Sequence, residues 1–216
     1  MITKKKLKVL TIEKKVNPFS KKGIKKTQIA IPGDLIETEE DIDLAASRVL
    51  FSLTKLNNLY LKQFKTFGQP DRVQQEKDKE WLINFRSDPN ERVITIAYAS
   101  IVRMEDYNPK ASYFADDVKW IDIEELPEMA FDHNEIVNDA IDFLRKEINH
   151  EVTSELLPRK FTLSQLQELY EIILDEKLDK RNFRKQIISK GILEKTNEKQ
   201  KGVSHKPAEL YKFNEQ

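Results

Sequence analysis

Residues 162–196 read TLSQLQELYEIILDEKLDKRNFRKQIISKGILEKT, and this stretch decides the fold of the C-terminal part of the chain. Thr162 followed three positions later by Gln165 is a capping-box pattern, in which each side chain satisfies a backbone donor at a helix start. Leu166, Leu169, Tyr170, Ile173 and Leu174 then recur at helical spacing. A break over 175–178 leads to a second start, where Asp179 offers an N-cap and a negative charge for the helix dipole. Phe183, Ile187 and Ile188 are expected on the inward side of this second helix, with Gly191 as its left-handed cap. Residues 192–196 and 209–213 read as short strands enclosing a lysine-rich loop. Helix, turn, helix and a two-stranded wing together make a winged helix-turn-helix.

The second helix turns a charged face outward. Arg181 or Arg184 has the reach and the paired donors to bind guanine edges in a major groove, and Asn182 or Gln186 suits adenine. Lys180, Lys185 and Lys190, with Lys199, Lys201, His205 and Lys206 in the wing, are expected to hold phosphates, which makes affinity depend on salt. The charge distribution supports double-stranded DNA as the partner. The whole chain balances at 37 basic and 37 acidic side chains, which excludes a uniformly basic coat protein. Residues 1–28 nevertheless carry ten lysines against one glutamate, residues 29–158 hold 14 basic and 27 acidic groups, and residues 159–216 hold 13 and 9. A polyanion is repelled by the middle and drawn to the end. The competing structural reading is a helical appendage for dimerisation whose basic face is merely solvated.

Upstream, residues 7–12 and 28–31 read as strands, residues 40–54 as an amphipathic helix, and residues 59–66 as a further strand. Residues 92–103 are apolar on both alternating faces, as expected of a central strand covered on each side. A short strand at 119–121 and a helix over 134–148 complete an α/β sandwich. The periodicity lapses over 149–160 and Pro158 interrupts, so the expected division is residues 1–150 and residues 151–216. The absence of cysteine removes disulfides, thiolate metal sites and cysteine nucleophiles, and three scattered histidines argue against zinc. No apolar run approaches the roughly 18 residues of a membrane span, so no membrane role and a cytoplasmic location are expected.

Residues 32–55 resemble the Nudix box, G-x5-E-x7-R-E-U-x-E-E-x-G-U, when aligned on Arg48. Glu40 then matches the first glutamate, Asp34 stands at the box glycine, Val49, Ser52 and Leu53 occupy the three later glutamates, and Lys55 replaces the final glycine. Working members hold magnesium on those carboxylates, because a hard divalent cation requires oxygen ligands. Aliphatic side chains supply none, so neither a catalytic residue nor a metal or cofactor is expected. Further segments, Thr66-Phe67-Gly68-Gln69-Pro70-Asp71-Arg72, residues 92–98, Ala130-Phe131-Asp132-His133, residues 178–184 and residues 206–213, resemble the Nudix-related transcriptional regulators of the NrtR type in the same order. Relative to that pattern the chain starts at the second sheet strand and carries an insertion over 73–90.

The resemblance implies an α+β protein: a Nudix-like α/β/α sandwich with a mixed sheet, followed by the winged helix-turn-helix. It implies a homodimer that binds operator DNA, with repression the expected sense, and that senses a small-molecule effector, a nucleotide such as ADP-ribose or a sugar. Arg48, Arg72 and Glu37 are the candidate ligand-binding residues, with Arg72 the anion-binding side chain. The alternative is a divergent magnesium-dependent hydrolase of nucleoside diphosphate derivatives using Glu37, Glu39 and Glu40. A third reading is a protein-interaction module.

Overall fold

A computed structural model describes residues 6–14, 28–73, 78, 88, 90–112, 115–148, 150–204 and 206–214. They fall into two compact units, one of residues 6–100 with 104–143, the other of residues 101–103 with the chain from Leu144 onward.

In the first unit, strands β1 (Lys8–Lys14), β2 (Gln28–Ala30) and β5 (Asp117–Asp122) form a sheet in the order β2-β1-β5, and β3 (Lys62–Phe67) pairs with β4 (Thr95–Ala99). Every ladder among the described residues is antiparallel. Alternation along the strands sends Ile12 and Ala30 to one face of the sheet and Val9 and Ile29 to the other. Helix α1 (Ile42–Thr54) packs Val49 and Leu53 on the first face. Helix α2 (His133–Glu147) packs Val137 and Ile141 on the second, while its Ile136 joins Phe67 of β3 and Ala97 of β4. The result is the expected α/β/α sandwich. Two local expectations need correction. The strand read over 92–103 is reduced to the five residues of β4, which among the described residues pairs only with β3, and Ile94, outside the strand, is 60% exposed. Ile42, which the helical spacing puts in one stripe with Ala45, Val49 and Leu53, is exposed as the first residue of α1, whereas those three are buried.

The second unit contains α3 (His150–Leu156), α4 (Leu163–Leu174), α5 (Lys180–Ser189) and the ribbon of β6 (Leu193–Lys199) and β7 (Glu209–Phe213). Helix α3 lies where the sequence reading placed only a lapse in periodicity. It is a two-turn element whose Leu156 is buried, and Thr153 of the same helix is hydrogen-bonded to the Tyr170 oxygen. The core consists of Phe161, Leu163, Leu166, Phe183 and Ile187, with Tyr211 and Phe213 of the wing packed against it. Phe161 and Tyr211 exchange backbone hydrogen bonds of 3.0 and 2.8 Å, which anchors the wing to the residue preceding α4. No helix among the described residues is long and apolar enough to cross a membrane.

Candidate functional site

Local chemistry fixes the helix-turn-helix before any partner is considered. At the start of α4 the Thr162 hydroxyl accepts from the Gln165 amide at 3.2 Å while the Gln165 side chain accepts from the Thr162 amide at 2.8 Å, completing the capping box. Asp175 ends α4 in the left-handed conformation, φ 57°. The turn that follows is organised by Glu171. Its carboxylate accepts from Gln167 Nε2 at 2.9 Å, Lys177 Nζ at 2.8 Å and the Leu178 amide at 3.2 Å, and Gln167 also donates to the Leu178 carbonyl at 2.9 Å. The Lys177 ammonium and then the Gln167 amide hold the Glu171 carboxyl below the usual carboxylate range. Asp179 caps α5 by accepting from the Asn182 amide at 2.8 Å. Gly191, at φ +66°, takes the left-handed position past the end of the helix, where a side chain would strain the backbone.

Phe183 and Ile187 turn inward, Tyr170 meeting Phe183 edge-on at 5.5 Å. Lys180, Arg181, Asn182, Lys185, Gln186 and Lys190 are exposed, and the side chains of Lys180, Arg181, Lys185 and Lys190 have no ionic partner among the described residues. Helix α5 has four cationic side chains and no acidic one. Arg184 is placed differently. It is half-buried, its Nη2 stands 3.5 Å from Ser164 Oγ on α4, and its Nε is buried without a hydrogen-bond partner. Ile188, expected to face inward, is 54% exposed. The correction has a geometric cause, since consecutive helical residues point about 100° apart and Ile187 already fills the core.

The wing is electrically different from the helix. Lys195 and Lys199 pair with Glu209 at 3.2 and 3.8 Å, Lys212 with Glu194 at 3.0 Å, and Lys160 with Glu198 at 2.6 Å. The Lys160 ammonium, with Lys201 further off, keeps the Glu198 carboxyl low. Lys201 and Lys206 are exposed in the connecting loop, and His205 lies outside the described residues. Lys199 is therefore partly neutralised in place.

In the first unit, the box remnant has become structure. Val49 is 8% exposed and Leu53 is fully buried, both in the core with Ile12 and Ala30, and the Ser52 hydroxyl donates to the Val49 carbonyl at 3.0 Å. Arg48 donates from Nε to Glu40 at 2.8 Å, makes a shorter Nη2 contact with the same carboxylate, and reaches the Leu35 carbonyl at 2.8 Å and Glu37 at 3.5 Å. The Arg48 hydrogen bond, followed by that from the Glu37 amide, lowers the Glu40 carboxyl to about 2. Glu40 is thus the counter-ion of Arg48, and Glu37 stays exposed beside them. Lys55, at the place of the box glycine, keeps the left-handed conformation, φ 60°, that the glycine would favour. Among the described residues no group of three His, Cys, Asp or Glu side chains is arranged to hold a metal ion.

Arg72 sits in a buried ion pair. Its Nε and Nη2 donate to the two oxygens of Asp132 at 2.8 and 2.7 Å, its Nη1 donates to Thr95 Oγ1 at 2.7 Å, and the two charged side chains are 5% and 8% exposed. That geometry ties the loop after β3 to the start of α2. Sequence reading named both Arg72 and Asp132 but missed their pairing, and it missed Glu171 and the outward Ile188. The i, i+7 relation of Arg181 to Ile188 was the available signal for the last.

Comparison with known proteins converges on the same organisation. Residues 153–213 match the family of the NrtR DNA-binding winged helix domain. An ADPR responsive transcriptional repressor, NtrR, of Acinetobacter baylyi is 28% identical over 193 residues, covering 87% of this chain and 70% of that protein. An ADP-ribose pyrophosphatase of Methanocaldococcus jannaschii is 30% identical over 138 residues, 64% of this chain and 68% of that one. NrtR of Shewanella oneidensis, in a structure complexed with a 27mer DNA, shares the fold with a TM-score of 0.65 at 22% identity, covering 97% of this chain and 87% of that chain.

Proposed function

We propose that this chain, which belongs to the Nudix-related transcriptional regulators of the NrtR type, is an effector-responsive repressor that binds operator DNA as a homodimer through α5 and its wing. The observation that carries the reading is the exposed cationic surface of α5, where Lys180, Arg181 and Lys185 stand without acidic partners among the described residues. Unpaired cations on a helix braced by its own core are free to neutralise phosphates and to reach base edges. Two such helices in a dimer must lie about one DNA turn apart, near 34 Å, which calls for a roughly palindromic site. Arg181, Asn182 and Gln186 are assigned to base edges, Lys180, Lys185, Lys190, Lys201 and Lys206 to phosphates. Arg184, leaning on α4, has the lesser part, and Lys199 must first leave Glu209.

Residues 1–150 are proposed as the sensing region and residues 151–216 as the DNA-binding region, acting in the cytoplasm where the chromosome is. The effector is a nucleotide of the ADP-ribose type, the compound to which the Acinetobacter baylyi relative responds by its name. Arg48 of α1 and Glu37 of the loop before it are proposed to meet it, with Arg72 holding the loop after β3 to the start of α2. An effector changes DNA affinity only to the extent that it binds the two arrangements of the dimer unequally. Hydrolysis is not proposed, because Val49 and Leu53 give packing where magnesium requires oxygen.

The test is binding to duplexes selected from a random pool, over a range of salt. Wild type is expected to bind selected sites with a steep salt dependence, and Arg181→Ala with Lys185→Ala to lose that binding. Retention of tight, selective binding in the double variant refutes the assignment. Magnesium-dependent turnover of ADP-ribose by the wild-type chain would favour the hydrolase instead.

A further inference from the structure

Two isoleucines stand side by side on α5, and only one has a place inside the protein. Ile187 is 3% exposed in the core of the second unit, whereas Ile188 is 54% exposed. At 3.6 residues per turn, position 188 lies about 20° around the helix from Arg181 and about 60° from Lys185. Ile188 therefore belongs to the outward stripe of Arg181 and Lys185, cations without an ionic partner among the described residues, on the side away from Phe183 and Ile187. A lone exposed apolar residue is ordinary on a protein surface. This one differs by position, being an aliphatic group on a helix whose other exposed residues are all polar or charged: Lys180, Arg181, Asn182, Lys185, Gln186 and Ser189. Isoleucine is also a poorer helix former than the lysine, glutamine or arginine around it, and in water its side chain gains nothing from burial.

We propose that Ile188 is a specificity-determining residue that packs against the 5-methyl group of a thymine in the major groove. The inference rests on the duplex-binding reading above and goes further by assigning a base. The thymine methyl is the apolar feature of the major-groove edge and separates an A·T pair from a G·C pair without a hydrogen bond. Arg181 and Lys185 extend beyond Ile188, so they engage phosphates and base edges at longer reach, while the short branched side chain touches only what the helix approaches closely. A stripe of that composition reads charge at its long positions and shape at its short one. The operator is then expected to carry thymine at one fixed position in each half-site.

The experiment uses the full chain, as wild type and as Ile188→Ser. Since Ile188 is exposed, the variant is expected to melt like wild type, which the same samples verify. In sites selected by wild type, replacing the shared thymine by deoxyuridine removes the methyl group alone. That change is expected to weaken wild type about fourfold per half-site, the worth of burying one methyl group, and to leave Ile188→Ser unaffected. Both proteins should keep the same salt slope, because no phosphate contact is altered. A deoxyuridine loss of equal size in both proteins, or of none in wild type, overturns the inference while leaving duplex binding intact. Failure of wild type to bind any duplex overturns the inference together with the reading beneath it.

Discussion

Replacing Arg72 by methionine keeps the length of the side chain and removes its charge. Asp132 then remains as a carboxylate in a site where it is 8% exposed, having lost both bidentate hydrogen bonds, and Thr95 loses its donor. Breaking a buried pair from one side costs about 3–5 kcal/mol, because the surviving charge keeps its desolvation penalty without compensation. With a slope of about 2 kcal/mol per molar urea, the midpoint of the first unit should fall by about 1.5–2.5 M. Urea titration followed by tryptophan fluorescence measures it, Trp120 lying on β5 of that unit. The double variant Arg72→Met with Asp132→Leu should recover most of the loss, since it removes the orphaned charge as well. A single variant whose midpoint stays within about 0.5 M of wild type refutes the buried-pair argument. If that variant also lost effector binding while remaining stable, Arg72 would face the ligand rather than the fold.

The Arg48–Glu40 pair predicts a pH effect: because folding lowers the Glu40 carboxyl from 4.5 to about 2, its stabilisation is present above about 4.5 and is lost as pH falls toward 2. Melting curves from pH 6 to pH 3 should therefore fall less steeply for Glu40→Gln than for wild type, and parallel curves would contradict the pairing. Lys55→Gly relieves a left-handed backbone at φ 60° and should raise stability by about 0.5–1 kcal/mol, a rise of about 1–4 °C in melting temperature. Thr162→Ala removes one half of the capping box and should cost about 1 kcal/mol, seen as faster amide exchange at the start of α4, where unchanged protection would count against the cap.

The second unit was legible in the sequence because its signals are local. Thr162 with Gln165, Asp179 and Gly191 are separated from what they fix by three residues or fewer, and each forms the cap expected of it. Helix α3 was not legible. With seven residues it offers one repeat of a helical stripe, too little for periodicity to register. The Arg72–Asp132 pair joins positions sixty residues apart, and nothing in either neighbourhood indicates the partner. Arg48 was named as a ligand candidate, yet its bond to Glu40 depends on the loop turning back at the start of α1, with the Glu37 amide donating to Glu40 at 2.8 Å. Ile188 departs from the inward expectation for a simpler reason: two adjacent helical positions point about 100° apart, and the apolar character of both cannot place both in one core.

The carboxylate of Glu171 grips the turn between α4 and α5 through a lysine, a glutamine and a main-chain amide at once. These contacts fix the course of the link between the helix that supports and the helix proposed to read. In the regulator proposed above, a signal from a bound effector would then reach α5 through movement of the headpiece as a whole, in the way a key is turned by its bow and never by bending its teeth.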